Sequence, residues 1–158
     1  MEKTKMFGVM MGLAIMGLLI FSGPAASAIN VELSDLNNKK IKMGDSVNVN
    51  ATIDMDSLDR DIMNSTLIIK QGNALLKECV FDRDGNPISG CEGILINTEN
   101  NWFGYGYEGS IHYNFIIDSF WLKTGAFDVY VITKSANEES ISETEKFVVQ
   151  SGNNRRDR

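Results

Sequence analysis

Few side chains in this sequence could do chemistry, and their spacing limits what that chemistry would be. Cys79 and Cys91 are the only cysteines, and His112 is the only histidine. A zinc site would need more sulfur and imidazole than this. General acid–base or metal work usually gathers several such groups, so a lone histidine reads as an ordinary surface residue. The stretch from Asp82 to Asn86, DRDGN, puts oxygen ligands at alternate positions, like the first half of a calcium loop. Pro87 then stands where such a loop wants glycine, and Gly93 where it wants a bidentate Glu. The expectation is a polar turn tip, with a surface calcium site on Asp82, Asp84 and Asn86 as the alternative. No Gly-x-Ser-x-Gly or His-Glu-x-x-His motif occurs. A carboxylate pair for glycoside hydrolysis leaves no mark in a sequence, but small sandwiches rarely carry one. The chain is therefore expected not to be an enzyme and to need no cofactor.

Binding chemistry is better represented. The stretch NNWFGYGYEGSIHYN, Asn100 to Asn114, is rich in rings and glycine. Trp102, Phe103, Tyr105 and Tyr107 are spaced by Gly104 and Gly106, which permit close backbone approach. If the backbone stays extended, Tyr105 and Tyr107 share one side. Such rings either cover the open end of a core, with Trp102 as the plug, or stack on a sugar face. In the second case Trp102, Tyr105 and Tyr107 are the ligand-binding residues. A protein interface is the third option. Tyr113 and Phe115 continue a strand-like alternation and belong to a core. Asn50-Ala51-Thr52 and Asn64-Ser65-Thr66 have the form of glycosylation acceptors at Asn50 and Asn64.

The start of the chain sets the compartment. Lys3 and Lys5 precede an uncharged apolar run, Met6 to Phe21, and Ala26 and Ala28 hold the two small positions that a signal peptidase reads. Residues 1–28 are expected to be a secretory signal helix removed after Ala28. An uncleaved anchor is the alternative, though the run is short for a span of roughly 20 residues. Removal takes away Glu2, Lys3 and Lys5, so the net charge of −6 becomes −7. Such acidity disfavours nucleic acid, whose binding rests on Lys and Arg. Membrane contact is expected only through the signal segment before cleavage. The product is expected to be secreted or at the cell surface. There the two cysteines are most simply one disulfide, closing a hairpin-like excursion around the turn signal DGNP.

Between residue 29 and residue 151 the pattern is that of half-buried strands. Val47, Val49, Ala51 and Ile53 share one face, and Asn48, Asn50 and Thr52 the other. Ile111, Tyr113, Phe115 and Ile117 alternate likewise, as do Phe127, Val129 and Val131. Tyr130 and Ile132 make the last strand apolar on both sides, which suits a central strand under extra cover or one lining an interface. Gly72-Asn73 is a tight-turn pair. Met55 to Ser65 breaks the alternation, and GILIN reads as a short strand. Residues 152–158 read as a polar, disordered tail. Seven or eight short strands in one domain, 29–151, predict an all-β antiparallel sandwich.

LKTGAFDVYVITK (Leu122 to Lys134) followed by EKFVV resembles the last strands of immunoglobulin-like and fibronectin type III-like domains of prokaryotic surface proteins. MGDSVNVNATI resembles their second strand. The resemblance implies an immunoglobulin-like sandwich. Phe127 holds the corner position and has no hydroxyl, so the tyrosine-corner bond cannot form from it. Taken together, the sequence predicts a non-catalytic exported module of the cell envelope acting by contact on a protein or glycan. The alternatives are a carbohydrate-binding module using residues 101–107, and a filament or pilus-type subunit that donates its N-terminal strand to a neighbour.

Overall fold

The computed structural model describes residues 29–34, 36–55, 62–103, 108–136 and 138–152, with backbone alone at residues 63, 100–103 and 108. The proposed signal helix, residues 56–61 of the stretch that breaks the alternation, and the tail from residue 153 lie outside the described residues.

Eleven strands form: β1 (Ile29–Ser34), β2 (Lys39–Lys42), β3 (Ser46–Met55), β4 (Ile62–Gln71), β5 (Ala74–Phe81), β6 (Pro87–Ser89), β7 (Ile94–Phe103), β8 (Glu108–Asp118), β9 (Gly125–Ser135), β10 (Glu139–Ile141) and β11 (Glu145–Gln150). One 3-10 turn, Ser119–Trp121, joins β8 to β9. Among the described residues, no helix is long and apolar enough to cross a membrane. The expected seven or eight strands are corrected to eleven among the described residues. The extra ones are β2, β6 and β10, of three or four residues, too short to display an alternation. The short strand read from GILIN is in fact the start of the ten-residue β7.

Two sheets result. One has the order β1-β3-β8-β7, all antiparallel. The other runs β2-β11-β9-β4-β5-β6, with β10 also paired to β9. Among the described residues its one parallel pairing is β2 on β11. The strand alternation turns one face of each sheet inward, where the apolar sets meet in a single core. Val47, Val49 and Ile53 of β3 lie against this core, as do Tyr113 and Phe115 of β8, and Phe127 and Val131 of β9. Phe81 meets Tyr113 and Phe115 edge-on at centroid distances of 5.0 and 5.4 Å. Phe127 stacks on Phe147 at 5.2 Å. The N-terminal strand belongs to its own sheet: β1 pairs with β3, and Ile29 and Val31 are buried.

β9 is a central strand, flanked by β4 on one side and by β11 and β10 on the other. Its outward residues Tyr130 and Ile132 are half-buried. The ammonium of Lys70 lies 5.1 Å from the centroid of the Tyr130 ring. Cys79 and Cys91 form a disulfide with Cα atoms 4.4 Å apart. Between them β5 pairs antiparallel with β6, which is the expected hairpin-like excursion. The β4–β5 turn falls at Gly72-Asn73, with Gly72 at φ 58°, a conformation glycine adopts without a Cβ clash.

Candidate functional site: the polar face of the four-stranded sheet

The same alternation that fills the core builds a polar surface on the other side of β1, β3, β8 and β7. Strand register lines its residues up in rows. Ser34 lies opposite Asn50, Asn50 opposite Asn114, and Asn114 opposite Asn97. The next row is Glu32, Thr52, His112 and Glu99. The rows are bonded across the strands. Asn114 Nδ2 donates to Asn50 Oδ1 at 2.6 Å, and Asn97 Nδ2 reaches Asn114 Oδ1 at 3.5 Å. His112 Nδ1 is 3.0 Å from Thr52 Oγ1, and its Nε2 is 3.2 Å from Ser110 Oγ. Asn50, Thr52, Asn97, Glu99, His112 and Asn114 line an open depression of about 520 Å³.

Such a surface offers donors and acceptors together. An amide carries two N–H donors and an oxygen with two lone pairs, and a hydroxyl both gives and takes. Within the row Asn114 gives one N–H and accepts one at its oxygen, and Asn97, at an exposed position, gives one N–H. His112 is on the solvent side, as its alternation predicts, but it is half-buried and held at both ring nitrogens. A fixed array of amides, hydroxyls and one imidazole suits a ligand rich in hydroxyl groups.

The other expected site residues fall elsewhere. The backbone of Trp102 and Phe103 belongs to β7, opposite Gly109 and Glu108, so the aromatic stretch is strand as far as Phe103. The side chain of Trp102, and Tyr105 and Tyr107 entirely, lie outside the described residues. By topology residues 104–107 connect β7 and β8, the two strands that supply Asn97, Glu99, His112 and Asn114. Asn50 sits within the polar row, half-buried, so a glycan there would occupy the depression. Asn64 lies on β4 opposite Lys134, on the other sheet.

The Asp82 carboxylate is engaged by its own turn. Oδ1 accepts from the backbone N–H of Asp84 at 2.9 Å and of Asn86 at 2.8 Å, and Oδ2 accepts from Asn86 Nδ2 at 2.9 Å. Among the described residues, no group of three His, Cys, Asp or Glu is placed to hold a metal. The Asn86 side chain, with the two backbone donors, holds the Asp82 carboxyl below its ordinary value. A lowered pKa in the folded state means that the stabilisation is present above the unfolded carboxylate value. It is lost as pH falls through the lowered one. Asp82→Ala is expected to cost about 1 kcal/mol, measured by denaturant unfolding. In the parent chain, the Asp84 and Asn86 amide resonances should titrate together below about pH 3.9. Titration at or above that value would show that the turn does not hold the carboxylate.

The polar face was only half visible in the sequence. The alternation of β3 marks Asn48, Asn50 and Thr52 as outward, but alignment with β8 joins residues more than sixty positions apart, as in Asn50 and Asn114. No local pattern encodes that pairing.

No protein-family model and no curated protein matches the chain. Among solved structures it resembles a family 123 glycoside hydrolase from Clostridium perfringens, described in a study of glycolipid glycan hydrolysis, with 12% sequence identity and a TM-score of 0.49. The likeness covers 80% of this chain and 28% of that one, so the chain spans less than a third of that enzyme's length. No activity passes to this chain through so distant a likeness. It does correct the expectation that the chain is not an enzyme. That expectation rested on missing linear motifs and on the type of fold, neither of which excludes catalysis, and the likeness found is to part of a glycoside hydrolase. The exclusion is withdrawn.

Proposed function

We propose that this chain is an exported module of immunoglobulin-like topology that acts by contact at a cell surface, and that the polar face of the β1-β3-β8-β7 sheet takes a saccharide. Strand order supports the immunoglobulin-like part. With β1, β3, β4, β7, β8, β9 and β11 lettered A to G in turn, the sheets run A-B-E-D and G-F-C, the order of that fold. Two departures accompany it. The disulfide joins neighbouring segments around β6 and not two facing sheets, and Phe127 replaces the corner tyrosine. Export is supported by the charged start, the apolar run and the small residues of positions 1–28, and a disulfide suits that compartment.

The observation that carries the saccharide reading is the bonded row Asn50–Asn114–Asn97 beside His112. Three amides in line across three strands present fixed, directional hydrogen-bond partners, which is how hydroxyl-rich ligands are told apart from water. The aromatic segment that joins β7 to β8 leaves from the same two strands and would supply stacking.

A glycan array tests this directly. The chain is expected to bind one class of oligosaccharide. Asn97→Ala, at an exposed position, should lower the affinity by about tenfold, equivalent to about 1.4 kcal/mol, with thermal stability unchanged. Binding lost on Tyr105→Ala with Tyr107→Ala but indifferent to Asn97→Ala would place the ligand on the aromatic segment alone. Absence of binding to every saccharide would reject the reading.

A further inference from the structure

The four-stranded sheet ends on one side at β7, and register shows which of its backbone groups lie open there. Asp118 N donates to Gly93 O at 2.9 Å. With Ile94 opposite Ile117, that bond makes Gly93 and Asp118 a hydrogen-bonded pair, so Leu95, Asn97 and Glu99 are the residues bonded to β8. The N–H and C=O groups of Ile96 and Thr98 therefore point away from β8, to the sheet edge. Ile94 N points the same way and is taken by Cys91 O at 3.0 Å. Among the described residues, nothing takes the four groups of Ile96 and Thr98. Burial agrees. Ile96 faces the core yet is only half-buried, while Phe115 and Val49 in the same row are fully buried.

The other edges carry the devices that stop strands from pairing. β1 lies against β10 and β9, and its first N–H donates to Glu138 Oε1 at 2.6 Å. β2 is four residues long, three of them exposed lysines. β6 is three residues beginning with Pro87, and β10 is three residues. Ahead of β6, β5 carries Lys77 and a register shift against β4. Over residues 94–99, β7 has no proline, no lysine and no shift against β8.

We propose that β7 pairs antiparallel with β7 of a second copy of this chain, about a two-fold axis at Asn97. The edge is complementary to itself. In this register Ile96 forms a bonded pair with Thr98 of the second copy, and Thr98 with its Ile96, so every open group of both residues is satisfied. Pairing Ile96 with Ile96 would instead turn Thr98 onto Ile94, whose N–H is already bonded. Pairing Thr98 with Thr98 would draw the two Glu99 carboxylates together. With Asn97 on the axis, the two Glu99 stand about 13 Å apart, each opposite a Leu95. The two Asn97 amides face each other and can bond, so the row Asn50–Asn114–Asn97 runs on into the second copy, and two four-stranded sheets become one. The edge is acidic on balance. Glu92, paired with Lys77, and Asp82 and Asp84, flanking Arg83, lie beside β7 together with Glu99. Repulsion between the two edges therefore opposes pairing at low salt. The pairing does not depend on what the polar face binds.

Asn97→Cys tests the axis. Opposed residues of a non-bonded pair have Cα atoms about 4.5 Å apart, inside the range of roughly 4.4–6.8 Å that a disulfide spans. The full chain is kept in detergent, which shields the apolar run of residues 6–21, and no saccharide is added. Oxidation of Asn97→Cys is expected to give a covalent dimer, joined from residue 97 to residue 97 in peptide maps, with the bond between Cys79 and Cys91 intact. Glu99→Cys should give little, its two sites lying about 13 Å apart. Without cross-linking, sedimentation should show a monomer–dimer equilibrium that tightens as salt is raised. A cooperative thermal transition verifies folding of each variant. Asn97→Lys sets two ammonium groups face to face and should weaken the dimer by about tenfold or more, whereas Leu95→Lys, opposite Glu99, should tighten it by about threefold. A monomer at every concentration, cross-linking as ready at residue 99 as at residue 97, or a dimer indifferent to Asn97→Lys overturns the proposal. Oligomers larger than two that persist in Asn97→Lys also overturn it, in favour of a head-to-tail contact.

Discussion

Phe115→Ala is expected to destabilise the fold by roughly 3–5 kcal/mol. Phe115 is fully buried on β8 and touches Phe81 edge-on and Tyr113 in a stacked pair at 6.1 Å. It sits on a strand paired on both sides, by β3 at Val49 and by β7 at Ile96. The walls of the resulting cavity cannot close without breaking that register. Marginal stability of domains this size makes a loss of this order close to unfolding at growth temperature. Tyr113→Phe separates packing from polarity at the neighbouring ring. It keeps the apolar body and removes only the bond from the Tyr113 hydroxyl to Arg83 O, at 2.6 Å. It should cost about 1 kcal/mol, since the acceptor is left without its donor. Burial, aided by the Asp82 and Asp84 carboxylates, pushes that hydroxyl's pKa well above the ordinary phenol value, so it stays a donor in neutral and mildly alkaline solution. Urea unfolding of the two variants checks both figures. A Phe115→Ala cost near that of Tyr113→Phe would mean that the ring cluster is not the centre of the core.

Removing the disulfide, by Cys79→Ser with Cys91→Ser, is expected to lower stability by up to roughly 3 kcal/mol on the chain-entropy model. The two cysteines are 12 positions apart and close the segment that carries β6. β6 has three exposed residues and pairs with β5, and the covalent link, the Asp82 turn and the hydroxyl bonds from Tyr113 to Arg83 O and from Thr98 to Asp84 O hold the excursion in place. The loss should therefore appear first as faster hydrogen exchange between residues 82 and 90, before the global transition moves. The link also fastens the strand edge next to Lys77, which pairs with Glu92 at 3.2 Å and lies 5.3 Å from the Trp121 ring centroid. Labelling of both thiols by an alkylating agent without reductant would contradict the disulfide itself.

The fold class was legible in the strict alternation of β3, β8 and β9. In each, one side is apolar because a second sheet covers it. Tyr113, Phe115 and Phe127 follow from that period alone. The short strands were not legible. β2 is Lys-Lys-Ile-Lys, and its single buried residue, Ile41, makes no pattern, while its place beside β11 depends on a parallel pairing across the whole chain. The turn at Asp82 was legible as a turn, because Asp, Gly and Asn supply the acceptor, the positive φ of Gly85 and the side-chain amide. Whether its oxygens point inward to the turn or outward to a metal was not, since both uses ask for the same residues. The polar face is the instructive case. Each strand showed its polar side, but only register puts Asn97, Asn114 and Asn50 in one row. Register is fixed by which apolar residues meet inside, not by the asparagines themselves.

The most direct measurement is a titration of the asparagine side-chain amides by NMR, with the oligosaccharide class that an array identifies. The NH₂ resonances of Asn97 and Asn114 and the ring protons of His112 are expected to shift together and saturate at one dissociation constant, while Asn64 on the other sheet does not move. Shifts confined to Asn64 and the seven-stranded sheet, or saturable binding that leaves Asn97, Asn114 and His112 unmoved, would contradict it.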